Sequence, residues 1–151
     1  RGALSTKDLH RLRVCRYFWI DAGNITKNRG PNLPGNQLMM KRLSRVFFGF
    51  GSTAVPENTH IGDVEICFNG GQGAPFSLTY SDNKMDKLVL PIPGAGGPPA
   101  YDNEYLLFER TRPGVFKFSI GTKATKAQWF KRSAAIEGAF RMSSGREWGV
   151  F

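Results

Sequence analysis

The chain has 151 residues and a net charge of +9, long enough for one domain with its own core. Hydrophobic residues make up 40% and aromatics 13%, which excludes a disordered polyelectrolyte. No apolar run approaches the roughly 18 residues of a membrane span, and eighteen glycines and nine prolines in short clusters favour many strands and turns.

The chain opens "RGALSTKDLH", with neither an initiator Met nor an apolar signal core, and we expect a fragment of a larger protein. "STKDLHRLRV" has a capping-type start and predicts a short helix or lead-in. "CRYFWIDAG" reads as a strand from its aromatic and β-branched content. "GNITKNRGPNLPGNQLMMKR" follows, from Gly23 to Arg42, with four asparagines, four cations and no acidic residue. A hairpin needs only about two to five connecting residues, so this segment exceeds what joining two strands requires.

"QLMMKRLSRVFFGF" predicts a second strand, straight or bent, and "HIGDVEICFNG" a third, closed by glycines. "PFSLTYSDNKMDKLVLPIP" predicts two strands around a polar tip, residues 80–87. "GAGGPP" is a loop without the Lys-Ser/Thr ending of a phosphate loop. "AYDNEYLLFERT" and "GVFKFSIGT" pair across the turn signal "RPG". "KATKAQWFKRSAAIE" predicts a helix with Ala127, Phe130 and Ala134 on its buried face and Lys123 and Lys126 exposed. "GAFRMSSGREWGVF" closes the chain as a hairpin. No repeat or long linker divides the chain, so residues 1–151 form a single domain.

Charge is segregated along the chain. Residues 1–45 carry a net of +8, residues 46–110 a net of −5, and residues 111–151 a net of +6. Segregation of this kind fits a basic face for a polyanion, as well as an ordinary solvated surface. Within the acidic middle, Lys84 and Lys87 on the polar tip are the only lysines.

Catalytic patterns are missing. The two cysteines, Cys15 and Cys67, read as small core residues, without disulfide spacing. His10 and His60 supply no metal spacing, no His-x-Lys motif and no visible nucleophile partner, and they read as structural or surface residues. We expect no metal and no cofactor. The lack of a disulfide framework points to a cytoplasmic location. Trp129 and Trp148 are expected in the core.

Two polar loops remain, residues 23–37 and 80–87. Both mix amides and hydroxyls with Lys or Arg, the side chains that read base edges. The same residue types also make ordinary turns.

The order of "RYFWIDAGNITKNRGPNLPGNQLMMKR" and "APFSLTYSDNKMDKLVLPIP" resembles the B3-type DNA-binding fold of plant transcription factors and of some restriction endonucleases. Within that group it is most similar to the C-terminal target-recognition domain of the BfiI-like, phospholipase D-related type II enzymes. The resemblance spans about residues 15–135 and rests on the order of elements. "SSGREWGVF" has no counterpart in the plant domains.

The resemblance implies a mainly β fold, an open seven-stranded pseudobarrel with one or two short helices. It implies two arms in the major groove of double-stranded DNA. Asn24, Thr26, Lys27, Asn28, Arg29, Asn32, Asn36 and Gln37 would form the N-terminal arm. Tyr80, Ser81, Asp82, Asn83, Lys84 and Lys87 would form the C-terminal arm. Arg29 and the amides would read bases. Lys27, Lys84 and Lys87, joined by Lys41, Arg42, Arg141 and Arg146, would meet phosphates. The chain would supply specificity, with DNA cleavage in a catalytic domain N-terminal to it. Two other classes stay open: a single-stranded nucleic-acid or RNA barrel, which needs an exposed aromatic row, and a hydrolase built on His60, Asp63 and Glu65.

Overall fold

The computed structural model describes residues 2–151. Ser5 starts helix α1 (Thr6–Val14) with a capping box, its oxygen accepting from the Asp8 amide while the Asp8 carboxylate accepts from the Ser5 amide. Strands β1 (Tyr17–Asp21), β2 (Gln37–Met40), β3 (Thr59–Phe68), β4 (Ala74–Tyr80) and β5 (Asp86–Val89) follow, with a 3₁₀ turn at Ser44–Val46 between β2 and β3. The hairpin of β6 (Tyr105–Arg112) and β7 (Val115–Gly121) leads into helix α2 (Lys123–Ala135), and β8 (Ala139–Arg141) and β9 (Glu147–Val150) close the chain.

All nine strands join one sheet in the order β2-β5-β4-β3-β7-β6-β1-β9-β8. Neighbours are antiparallel except β3 and β7. The sheet curls into a half-barrel. Lys41, just past edge strand β2, and Arg141, on edge strand β8, line one cavity with the N-terminal segment and Asp8 of α1, so the two edges approach each other across that segment.

Nine strands stand where seven were expected. The excess is the C-terminal hairpin, in which β9 pairs with β1 and carries β8 as a new edge. A second difference concerns residues 41–50, which leave the sheet instead of extending β2. Leu43 adopts a left-handed backbone (φ 78°), which no continuing strand permits. The chain then coils inward and delivers Phe47 and Phe48 to the concave side. There they meet Phe18, Phe108 and Phe116 at ring separations of 4.9–5.6 Å. Trp148 packs on Phe18 at 5.5 Å, while Trp129 is half-buried against Gly121. Cys15 is buried, but Cys67 is half-buried, because it alternates with the inward Ile66.

Arg110 fastens α1 to this core. Its guanidinium donates to the carbonyls of Leu12, Cys15 and Phe47 and lies 4.6 Å from the Phe47 ring centroid. The carbonyls at a helix C-terminus carry partial negative charge, which a cation satisfies.

Helix α2 is turned relative to the expected face. Ala127 and Ala134 are exposed and Phe130 is 38% exposed, whereas Ser133 is buried and Lys126 half-buried. Polar satisfaction decides the rotation. The buried Trp19 indole donates to Ser133 Oγ at 2.8 Å, and Lys126 Nζ sits 3.1 Å from the Asp21 carboxylate and 2.8 Å from Glu147. Arg141 completes the cluster at 2.7 Å from Glu147.

Hydrogen bonds from Arg141 and Lys126 hold the Glu147 carboxyl below the usual glutamate range. A lowered folded pKa means stability present above the unfolded value of about 4.3 and lost as pH falls through the folded one. Urea unfolding of wild type and Glu147→Gln across pH checks this. The stability gap should be constant near neutrality and close on acidification.

Candidate nucleic-acid interface

The two polar loops flank one short ladder. β2 and β5 pair from Gln37↔Val89 to Met40↔Asp86. The first loop enters at the Gln37 end, and the second loop turns at the Asp86 end. Three steps of about 3.4 Å separate the ends, roughly 10 Å. Leu38, Met40, Asp86 and Leu88 face the core, so Gln37, Met39, Lys87 and Val89 form the outward floor between the loops. Thr79 on β4 extends this floor beside Lys87.

The first loop is a braced projection. Thr26 bridges Gln37, and the two legs run so close at Gly35 that a Cβ there would lie 1.8 Å from the Thr26 carbonyl oxygen. Only glycine permits that approach. Asn28 Nδ2 donates to Asn36 Oδ1, while the Asn36 amide donates to Asn28 Oδ1. Asn36 Nδ2 donates to the Leu90 carbonyl, and the Leu90 amide returns a bond to the Asn36 carbonyl. Asp102 Oδ1 accepts from the Ile25 amide. Residues 27–34 therefore stand out from a zipped base.

The second loop is a tight turn at residues 81–85. The Ser81 amide donates to the Met85 carbonyl, the Lys84 amide to the Ser81 carbonyl, and the Met85 amide to Asn83 Oδ1. Beneath it lies a buried ion pair. Arg45 and Asp86 are 2% and 0% exposed and 2.9 Å apart. Asp86 also accepts from the Leu43 and Arg45 amides, and Arg45 donates to the carbonyls of Gly51 and Thr53. Burial raises the Asp86 pKa, against the pull of Arg45 and the two amides.

The expected site residues divide by this geometry. Asn24, Thr26, Lys27, Asn28 and Asn32 are exposed on the first loop, and Asp82, Asn83 and Lys84 on the second. Arg29 is half-buried, with one nitrogen donating to the Pro34 carbonyl. Gln37 and Lys87 share the floor, Gln37 opposite Val89 and Lys87 opposite Met39. Three expected contacts are buried instead. Asn36 holds the first loop to β5, Tyr80 lies under the Arg45 guanidinium at 5.6 Å, and Ser81 is 5% exposed. Each sits where its loop joins the sheet, and there the backbone needs partners.

Lys41 and exposed Arg42 follow β2, and exposed Arg141 approaches Lys41 across the half-barrel. Arg146 is withdrawn from solvent. Its Nε donates to the Asp21 carbonyl, its stem packs on Gly23 at the foot of the first loop, and burial lowers its pKa. Lys27, Arg29, Lys41, Arg42, Lys84 and Lys87 have no carboxylate partner among the described residues, and Asp82 is the exposed acid beside them. Met39, Thr79 and Val89 were missed as floor residues. Their signal is the two-residue spacing from Gln37 and Lys87.

Two other observations bear on the open classes. The exposed large hydrophobic residues are Val14, Leu33, Ile92, Phe130 and Ile136, so the described residues present no aromatic row. His60 lies 3.0 Å from Asp63, both more than half exposed to solvent. Asp63 and Glu65 share the outer face of β3, as strand alternation predicts. No family model and no curated protein sequence matches the chain.

Asn36 and Asn32 should separate in a stability measurement. Asn36→Ala leaves the Leu90 carbonyl and the Asn28 amide without their partner and should lower unfolding free energy by about 1–3 kcal/mol. Asn32→Ala should stay within about 0.5 kcal/mol of wild type. Urea denaturation of both variants measures the difference.

Proposed function

We propose that this domain recognises a specific sequence in double-stranded DNA, with its two loops in the major groove. In this reading it is the target-recognition domain of a type II restriction endonuclease, and DNA cleavage belongs to a separate catalytic domain. The observation that carries the reading is the pair of loops at the two ends of a ladder roughly 10 Å long, close to the major groove width of about 12 Å. Six cations without carboxylate partners lie on the loops, the floor and the β2 exit. Asn24, Asn32 and Asn83 offer exposed amides for base edges. The lysines suit phosphates, and Arg29, anchored through one nitrogen, keeps the rest of its fork for a guanine.

Lys84 adds a backbone argument. It sits at the turn apex with φ 63°, a left-handed conformation that favours glycine or asparagine. In this reading the backbone cost at Lys84 accompanies the placement of its ammonium at the turn apex, where it meets phosphate.

Duplex binding should weaken steeply with salt. With roughly six phosphate contacts, affinity should fall about a thousandfold between about 50 and 200 mM salt, read by titration of a labelled random duplex. Lys84→Asn should leave the fold as stable as wild type or more stable, and lower the salt slope by about one contact. Arg29→Ala should weaken a selected duplex by about 1–3 kcal/mol and change random-duplex binding less. Unchanged affinity of both folded variants for both duplexes would rule out the two-loop reading.

A further inference from the structure

Leu33 is the one large hydrophobic residue exposed on the first loop, at 46%. The other large aliphatic residue of the projection, Ile25, is buried at its base. Leu33 lies near the apex, between exposed Asn32 and half-buried Pro34. The apex is fixed from several sides. The Leu33 amide donates to the Gly30 carbonyl, Arg29 donates to the Pro34 carbonyl, and Pro31 and Pro34 restrict the backbone. Gly30 has φ 128° and carries no side chain, which leaves one flank of Leu33 uncovered; a Cβ there would touch Leu33 Cδ1 at 3.6 Å. The Asn28–Asn36 clasp holds the whole projection to the sheet. An isolated exposed leucine on a loose surface loop needs no explanation. An apolar side chain on a hydrogen-bonded apex that also carries Asn32 and Arg29 has a distinct chemical use.

In the major groove, hydrogen-bonding groups identify guanine, adenine and cytosine. Thymine adds a 5-methyl group that no amide or guanidinium reads and that apolar side chains contact. Resting on the DNA-recognition reading above, we infer that Leu33 determines specificity for thymine, through contact with its 5-methyl group. The rigidity of the apex matters because little side-chain and loop freedom is then lost on contact. Leu33 supports no part of the core, so its replacement leaves the fold intact.

The experiment selects duplexes from a random library with wild type, Leu33→Ala and Leu33→Met, then replaces each enriched thymine by uracil, which lacks only the methyl group. Wild type and Leu33→Met should enrich a thymine that Leu33→Ala does not. Uracil at that position should weaken wild type about fourfold, the equivalent of one buried methyl, and leave Leu33→Ala unchanged. The same thymine enriched by wild type and Leu33→Ala, or an equal loss in both on uracil substitution, overturns the inference while leaving duplex recognition standing. Absence of duplex binding by wild type overturns the DNA reading itself.

Discussion

The Arg45–Asp86 pair is the constraint around which one side of the domain is arranged. A carboxylate and a guanidinium removed from water are tolerated only when their remaining hydrogen-bonding capacity is filled. Here the backbone fills it. The amides of Leu43 and Arg45 turn toward Asp86, and the carbonyls of Gly51 and Thr53 turn toward Arg45. Those four partners fix the path of residues 43–53, and with it the delivery of Phe47 and Phe48 to the core. Asp86 is also the first residue of β5, so the same pair fixes the base of the second loop. A hydrophobic pair of similar volume could fill the space, but it would leave those amides and carbonyls unpaired.

The first loop follows the same logic with neutral groups. Asn36 lies at its base and bonds to both Asn28 and Leu90, so its amide closes the projection and anchors it to β5. Both loops reach the sheet through a buried polar residue on or beside the β2–β5 ladder. Their feet are therefore held at a fixed separation by the four residue pairs of that ladder. Under the proposed DNA reading this spacing matters for specificity: loops that drift relative to each other would accept many phosphate spacings, and a fixed pair accepts few.

The element order was legible because its signals are local. The capping-type start at Ser5, the glycine-closed strand "HIGDVEICFNG", the "RPG" turn and the helical pattern of "KATKAQWFKRSAAIE" each act within a short stretch. Failures occurred where distant partners decide. Nothing near Arg45 in the chain announces that Asp86 waits 41 residues later. The pattern of helix α2 alone gives it an apolar face, but Trp19, Asp21 and Glu147 select a polar one. For the candidate site, the two loops were readable from composition, but composition could not separate Asn36 from Asn32. One amide meets Leu90 across the sheet and the other meets solvent, a difference set by pairing register.

Pairing register also resolves the charge pattern of the chain. In sequence order, the acidic middle segment, with a net of −5 over residues 46–110, opposes any basic face that includes it. In the fold most of its carboxylates lie away from the two loops' cations or are engaged: Asp86 is buried against Arg45, Asp102 accepts from the Ile25 amide, Glu109 pairs with Arg16, and Asp63 and Glu65 lie two strands from β5, while Asp82 stays exposed on the second loop. Antiparallel pairing of β2 with β5 then sets Lys87 directly opposite Met39 and brings the Lys84 turn to the end of the strand that leads into Lys41 and Arg42. Two lysines from an acidic stretch thus join the basic stretch that contains the first loop. Local charge density therefore follows strand order, not sequence order. The hydrogen-bonded ladder that spaces the two loops is the same element that brings Lys84 and Lys87 to the strand leading into Lys41 and Arg42.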